Sequence, residues 1–186
     1  MRTQPQEVIA KLEADNSRLA KEKILLDAMN EGLDEFFEGL KMCLDKLYTF
    51  GVKQVPTKDE VVAGQGCPWK VFKELAEKLY NRELTGHNAR DAINLVMSSA
   101  TAEQWNGFYR RILIKDLRCG VSEKTVNSVA KKNKFGKYMV PVFTCQLAHD
   151  SANHEKKLVG EKMLEVKLDG VRTLAIVHPV SYTHLR

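Results

Sequence analysis

Glu165-Val166-Lys167-Leu168-Asp169-Gly170-Val171-Arg172 decides how this chain divides, because it is where a helical pattern has given way to a strand pattern. Met163, Leu164 and Val166 lie before it and Leu174, Ile176 and Val177 after it, so the spacing predicts two strands joined at Leu168-Asp169-Gly170. Asp-Gly is a strong hairpin signal, since glycine accepts the positive φ of a tight turn. Lys167 then ends one strand and Arg172 opens the next, both close to the turn. An ordinary hairpin with a solvated lysine satisfies the same pattern. A lysine that acts as a nucleophile must be unprotonated, which needs neighbouring cations, a bound metal or a dry pocket to lower its pKa.

Working outward, residues before about 134 read as helices. Pro5 suits a first turn, with Val8, Ile9 and Leu12 on one face, and Asp15-Asn16-Ser17 offers the cap of a second helix bearing Leu19, Ile24, Leu25 and Met29. Leu33, Phe36, Phe37, Leu40, Leu44 and Leu47 recur at three and four, an amphipathic helix from about Gly32. Residues 51–66, with Pro56 and three glycines, read as a loop. Pro68 starts a helix bearing Trp69, Phe72, Leu75, Ala76 and Leu79, and another follows from about His87. Thr101-x-x-Gln104 is a capping box for a helix through Trp105, Phe108, Ile112 and Leu113. Arg118-Cys119-Gly120 breaks that helix, and Ser122 caps the last one. Residues 138–148 are extended in character around Pro141, and 151–159 suit a short helix. The aromatic and Met residues on the helical faces are expected in the core.

The 186 residues carry a net charge of +5 and are 44% hydrophobic, enough for a core. Nine Lys/Arg between Tyr109 and Lys137 face only Asp116 and Glu123, a local surplus of +7 that leaves −2 for the remainder. Such a stretch is a candidate phosphate-binding face, although a solvated helix face is the commoner meaning. Cys43, Cys67, Cys119 and Cys145 are dispersed, and the five histidines form no ligand spacing, so reduced thiols and no metal site are expected. No apolar run approaches membrane-spanning length. The chain reads as soluble and intracellular.

The segment Glu165–Arg172 resembles the lysine motif of covalent nucleotidyltransferases, the ATP-dependent DNA ligases and mRNA capping enzymes. Arg82-Glu-Leu-Thr-Gly and Ile114-Lys-Asp-Leu-Arg-Cys-Gly-Val-Ser, with Thr125-Val126-Asn127, resemble the helical DNA-binding domain of bacteriophage-type ATP-dependent DNA ligases. Capping enzymes normally lack that upstream domain, so its presence favours the ligases. The resemblance implies a mainly α fold: a helical DNA-binding domain over 1–134, then over 135–186 the truncated start of an α+β nucleotidyltransferase domain. It implies a monomer that seals nicked double-stranded DNA in the cytoplasm of a bacterial or phage-infected cell, with ATP and Mg2+ as cofactors. Lys167 is implied as the catalytic residue that takes AMP, with Glu165 at the adenine and Arg172 at the ribose.

The breaks at Leu84-Thr85-Gly86 and at Leu117-Arg118-Cys119-Gly120 each place a Gly-containing turn and a hydroxyl residue ahead of a helix, whose free N–H groups suit phosphate. Plain capping explains the same residues. By the resemblance, Thr85, Gly86, Asn88 and Arg90 at one start, and Arg118, Gly120, Ser122, Lys124 and Thr125 at the other, become DNA contacts, with Lys131 and Lys132 adding to that face. The family's metal-holding carboxylates and later motifs have no counterpart after Arg172, so the chain reads as an amino-terminal fragment, inactive by itself. Pro179–Arg186 resembles translated sequencing adapter, and 180–186 is read as non-native. A non-catalytic helical nucleic-acid-binding module, and a related RNA ligase or capping enzyme, stay open beside the ligase.

Overall fold

A computed structural model of the chain describes residues 3–59, 64–143, 159–161, 174–178 and 181–185. Two compact units divide it, Met1–Thr144 and Cys145–Arg186. The first is helical: α1 (Pro5–Ala14), α2 (Arg18–Asn30), α3 (Asp34–Leu44), α4 (Trp69–Tyr80), α5 (Gly86–Ser99), α6 (Ala102–Gln104), α7 (Arg110–Leu113) and α8 (Glu123–Lys132). Between α6 and α7 runs a π-helical stretch, Trp105–Tyr109, so residues 102–113 form one continuous rod. Gly136–Tyr138 is a 3-10 turn.

The rod is the axis of the core. It packs against α1 and α3, while α4 pairs with α5 and α2 with α8. Its π-helical turn sends Trp105, Phe108 and Tyr109 inward, all buried. Phe72 of α4 stacks on Tyr109 at 4.3 Å and 6°, and Phe36 of α3 stacks on Phe108 at 6.1 Å. Burial of each such ring contributes about 2–3 kcal/mol, and the paired geometry adds about 1 kcal/mol. The Tyr109 hydroxyl is not wasted inside: it donates to the Cys67 carbonyl at 2.8 Å.

Helix starts follow the expected chemistry in part, for Ser17 is the N-cap of α2 but makes no side-chain cap bond. Pro5 opens α1, and Thr101 with Gln104 forms the reciprocal capping box of α6. Helix ends depart from it. Four helices end in the same motif, with a left-handed residue after the C-cap whose N–H, and the next one, return to carbonyls inside the helix. Gly32 fills that place after α2, but Arg82, Lys115 and Lys134 fill it after α4, α7 and α8, at φ of 62°, 60° and 61°. The rod therefore stops at Leu113, before the Arg118-Cys119-Gly120 break read from sequence. Likewise α3 stops at Leu44, short of Leu47, because Lys115 supplies three hydrogen bonds to the carbonyls of Met42, Asp45 and Tyr48 at 2.9, 2.5 and 2.6 Å.

The stretch expected to be extended after residue 138 begins instead as the 3-10 turn, and 139–143 enter no sheet. Tyr138 stacks on Phe37 at 4.2 Å, and Asn127 holds Val140 by both backbone groups, at 2.7 and 2.9 Å. These contacts satisfy the backbone without a neighbouring strand.

In the second unit, β1 (Leu174–His178) and β2 (Ser181–Leu185) pair antiparallel, with Leu174 opposite Leu185 and His178 opposite Ser181. The strand expected after the Asp-Gly turn is thus present as β1. The segment after Pro179, expected to break the apolar pattern, forms its partner, and Tyr182 and Thr183 are good strand formers. The Leu168-Asp169-Gly170 turn, the strand before it and, apart from Val159, the short helix expected over 151–159 lie outside the described residues.

Gly39 lets α3 approach the rod: a Cβ there would lie 2.5 Å from Phe108 Cζ and 2.6 Å from Ile112 Cδ1. Alanine gains about 1 kcal/mol of helix propensity but costs about 1–3 kcal/mol where a packed core cannot yield. Phe108 and Ile112 are fully buried, so the clash wins. Gly39→Ala is expected to lower the urea midpoint at unchanged slope; an unchanged midpoint would mean this interface yields.

Candidate nucleic-acid interface

The loop after Gly51 is fixed from two sides. The rod holds it through Trp105 Nε1, which donates to the Pro56 carbonyl at 2.8 Å, and Arg110 Nε, which donates to the Val55 carbonyl at 3.0 Å. Asn106 accepts from the Lys58 N–H at 3.0 Å and donates to the Lys58 carbonyl at 2.7 Å, mimicking a strand neighbour. From the other side, buried Lys58 turns its ammonium onto the carbonyls of Met97, Ser98 and Ala100 at the end of α5. A cation at a helix C-terminus is favourable, and these bonds satisfy carbonyls that the helix leaves open.

So held, the loop faces the start of α5 across a groove made of two adjoining cavities of about 410 and 610 Å3. Lys53, Arg82, Arg90 and Arg110 line it, and among the described residues no acidic side chain does. Arg110 is engaged with the Val55 carbonyl, whereas Lys53, Arg82 and Arg90 have no hydrogen bond or ion pair among the described residues. Thr85 and Gly86 form one wall. Thr85 is the N-cap of α5 but its side chain makes no cap bond, and the first turn carries no acid. Gly86 has φ +56° and nothing within 4 Å of where a Cβ would stand, so no neighbouring side chain crowds the start of α5. That is a surface for anions.

The start of α8 is built differently. Ser122 accepts from the Thr125 N–H at 3.4 Å, the two hydroxyls lie 3.3 Å apart, and Glu123 sits in the first turn. Lys21 donates to the Cys119 carbonyl at 2.8 Å and lies beneath Gly120, where a Cβ would come within 2.7 Å of it. Arg118, at φ 54°, is tied to Asp116 through its own N–H and its side chain. Lys124 is exposed and unpaired. Lys131 and Lys132 occupy the last turn of this ten-residue helix, about 15 Å from Ser122 along its axis, and Lys132 lies 3.9 Å from Glu22.

Of the sequence candidates, Thr85, Gly86 and Arg90 meet in the groove; Asn88 is exposed on α5 but does not line it. Glu165, Lys167 and Arg172 lie outside the described residues. Lys53, Arg82 and Arg110 were missed: Lys53 lay in a stretch read as a connector, and Arg82 was quoted only as part of a longer run. The basic surplus after Tyr109 is largely consumed by the fold. Arg111 bonds the carbonyls of Asn106 and Leu117 and pairs with Glu13, Lys115 is turned onto carbonyls, and Lys137 pairs with Asp34.

Reactive chemistry is lacking among the described residues. Burial pushes the Cys43 thiol up to about 12 and raises those of Cys67 and Cys119, so none forms a ready thiolate. No group of three His, Cys, Asp or Glu there could hold a metal, and no described helix is long and apolar enough to cross a membrane.

Two solved structures resemble the chain throughout. "Pmar-Lig_PreS3" is 60% identical over 95% of this chain, with a TM-score of 0.78, and "Pmar-Lig_Pre." is 60% identical over 93%, also at 0.78. The chain spans 40% and 39% of their lengths. No family model and no curated protein matches it.

Asn106→Ala leaves both backbone groups of Lys58 without their partner, at about 1–3 kcal/mol for a buried group left unmade. We expect lower stability and faster amide hydrogen exchange at Lys58. Exchange as slow as in the parent protein would show that Trp105 and Arg110 suffice to hold the loop.

Proposed function

We propose that this chain is the amino-terminal part of an ATP-dependent DNA ligase that seals nicks in duplex DNA. The observation that carries the reading is its 60% identity, across nearly its whole length, to a structure whose name contains Lig, taken with the motif Lys167-x-Asp-Gly-x-Arg172. An exposed basic groove without acidic lining agrees with a polyanionic partner.

In this reading the helical unit grips the duplex by its phosphates, through the open start of α5 and the Arg118 to Thr125 turn. Such contacts ignore base sequence, as an enzyme that meets any nick requires. Lys167 attacks the α-phosphate of ATP: an N–P bond forms, the bond to the β-phosphate breaks, and pyrophosphate leaves. The AMP passes to the 5′-phosphate at the nick, and the adjoining 3′-hydroxyl displaces it as the strand closes. Glu165 faces the adenine and Arg172 the ribose. The described residues do not fit a Mg2+ site, so no part of the helical unit is assigned to the metal.

Lys167→Ala, in the protein that carries this chain, is expected to abolish labelling by [α-32P]ATP while nicked-DNA binding persists; label retained on the variant would overturn the assignment. Arg118→Glu with Lys124→Glu should weaken nicked-DNA binding and flatten its dependence on salt by about one to two ions. Unchanged affinity and slope would remove this turn from the interface.

A further inference from the structure

At one end of the basic groove the lining passes into a stack of tyrosines. Tyr48 and Tyr80 lie face to face with centroids 4.2 Å apart and planes at 14°, and Phe50 meets Tyr48 edge-on at 5.3 Å. Tyr48 and Phe50 lead directly into Gly51, the first residue of the groove wall. Tyr80 ends α4 and leads into Arg82, whose guanidinium lies so close over Gly51 that a Cβ there would collide with it. Tyr80 remains 43% exposed although one ring face is covered by Tyr48. An exposed tyrosine, already stacked on a second ring, therefore stands two residues from the Arg82 cation.

Arg82 is also an odd occupant of its place. It sits at φ +62° at the end of α4, a left-handed position that suits glycine better than arginine. Lys115 in the matching place after α7 repays that cost with three carbonyl bonds. Arg82 has no such return among the described residues.

A duplex presents phosphates outward and keeps its base faces stacked inside, so it can use cations but offers nothing to a flat ring. An unpaired strand offers both: phosphates at intervals, and base faces that stack on aromatic side chains whatever the base. From this juxtaposition we infer that the groove and the Tyr48–Tyr80 stack together seat a single-stranded segment of nucleic acid, with Lys53 and Arg82 on its phosphates and an unpaired base on Tyr80. The inference rests on the nucleic-acid reading above and adds a second partner form to it. A strand frayed or overhanging beside a break is then held by the helical unit itself, away from the α8 turn.

The test is fluorescence anisotropy of the full chain with two probes, a labelled oligothymidylate and a blunt nicked duplex. The parent protein should bind the oligothymidylate with salt-dependent affinity. Tyr80→Ala should weaken that binding at least about fivefold, and Tyr80→Phe, which keeps the ring, should stay within about twofold. Neither should alter affinity for the nicked duplex. Arg82→Gly should weaken oligothymidylate binding while its thermal midpoint holds or rises, because glycine suits the left-handed backbone. Tyr80→Ala binding oligothymidylate as tightly as the parent, or losing both probes in equal measure, would overturn the inference and leave duplex binding standing. Failure of the parent protein to bind either probe would bring down the nucleic-acid reading and this inference with it.

Discussion

The groove side of the molecule depends on the π-helical turn at Trp105–Tyr109. In an α-helix, neighbouring residues point about 100° apart, so a run of large side chains cannot all serve one core and its border. One extra residue in the turn, marked by the Arg110 N–H returning to the Trp105 carbonyl, shifts the faces of the rod against each other. Trp105, Phe108 and Tyr109 are thereby all buried, while Asn106 between them and Arg110 after them reach the backbone of 55–58. Core packing and loop anchoring are one feature. A substitution that returned this turn to α-helical register would disturb both together.

This coupling also explains which parts were legible from residues alone. The faces of α3 and α4 could be read because Phe36, Phe37 and Leu40, or Phe72, Leu75, Ala76 and Leu79, recur with the period of a helix and are buried as that period requires. The Thr101 capping box and the Ser122 cap were legible because each satisfies an N–H a few residues along the chain. Helix ends were not, since their signal is glycine at a left-handed position, and three of these ends carry Arg or Lys there. The groove was half legible. Thr85, Gly86 and Arg90 stand together in sequence, but Lys53 and Arg110 reach them only because Asn106, Trp105 and Lys58 fold a distant loop back, a long-range event that no local pattern records.

Charge tells the same story in energies. Counting cations over 109–137 suggested a basic face, yet the fold turns Arg110, Arg111 and Lys115 of that stretch onto carbonyls, as it does Lys21 and Lys58 elsewhere. Lys58 and Lys115 each bind three main-chain oxygens at a helix end, and Lys21 and Arg111 bind others. A hydrogen bond from a charged donor is worth about 1.5–3 kcal/mol, against about 0–1 kcal/mol for an exposed ion pair, so a lysine that reaches an open helix end is better used there than on the surface. Burial lowers the Lys115 pKa below its ordinary value, with Cys43 and Asp45 opposing the shift, which marks this cation as structural in position and in cost.

What remains after those inward cations are set aside is the outward set. Lys53, Arg82, Arg90, Lys124, Lys131 and Lys134 are among the cations with no hydrogen bond or ion pair to the described residues, and the first three share one groove lined by no carboxylate of those residues. Like charges held near one another repel, and that repulsion is relieved only by an anion from outside. Two of the six, Arg82 and Lys134, also sit where glycine would be more stable. Self-repulsion and left-handed strain both count against the isolated fold, and a bound phosphate chain offsets the first directly.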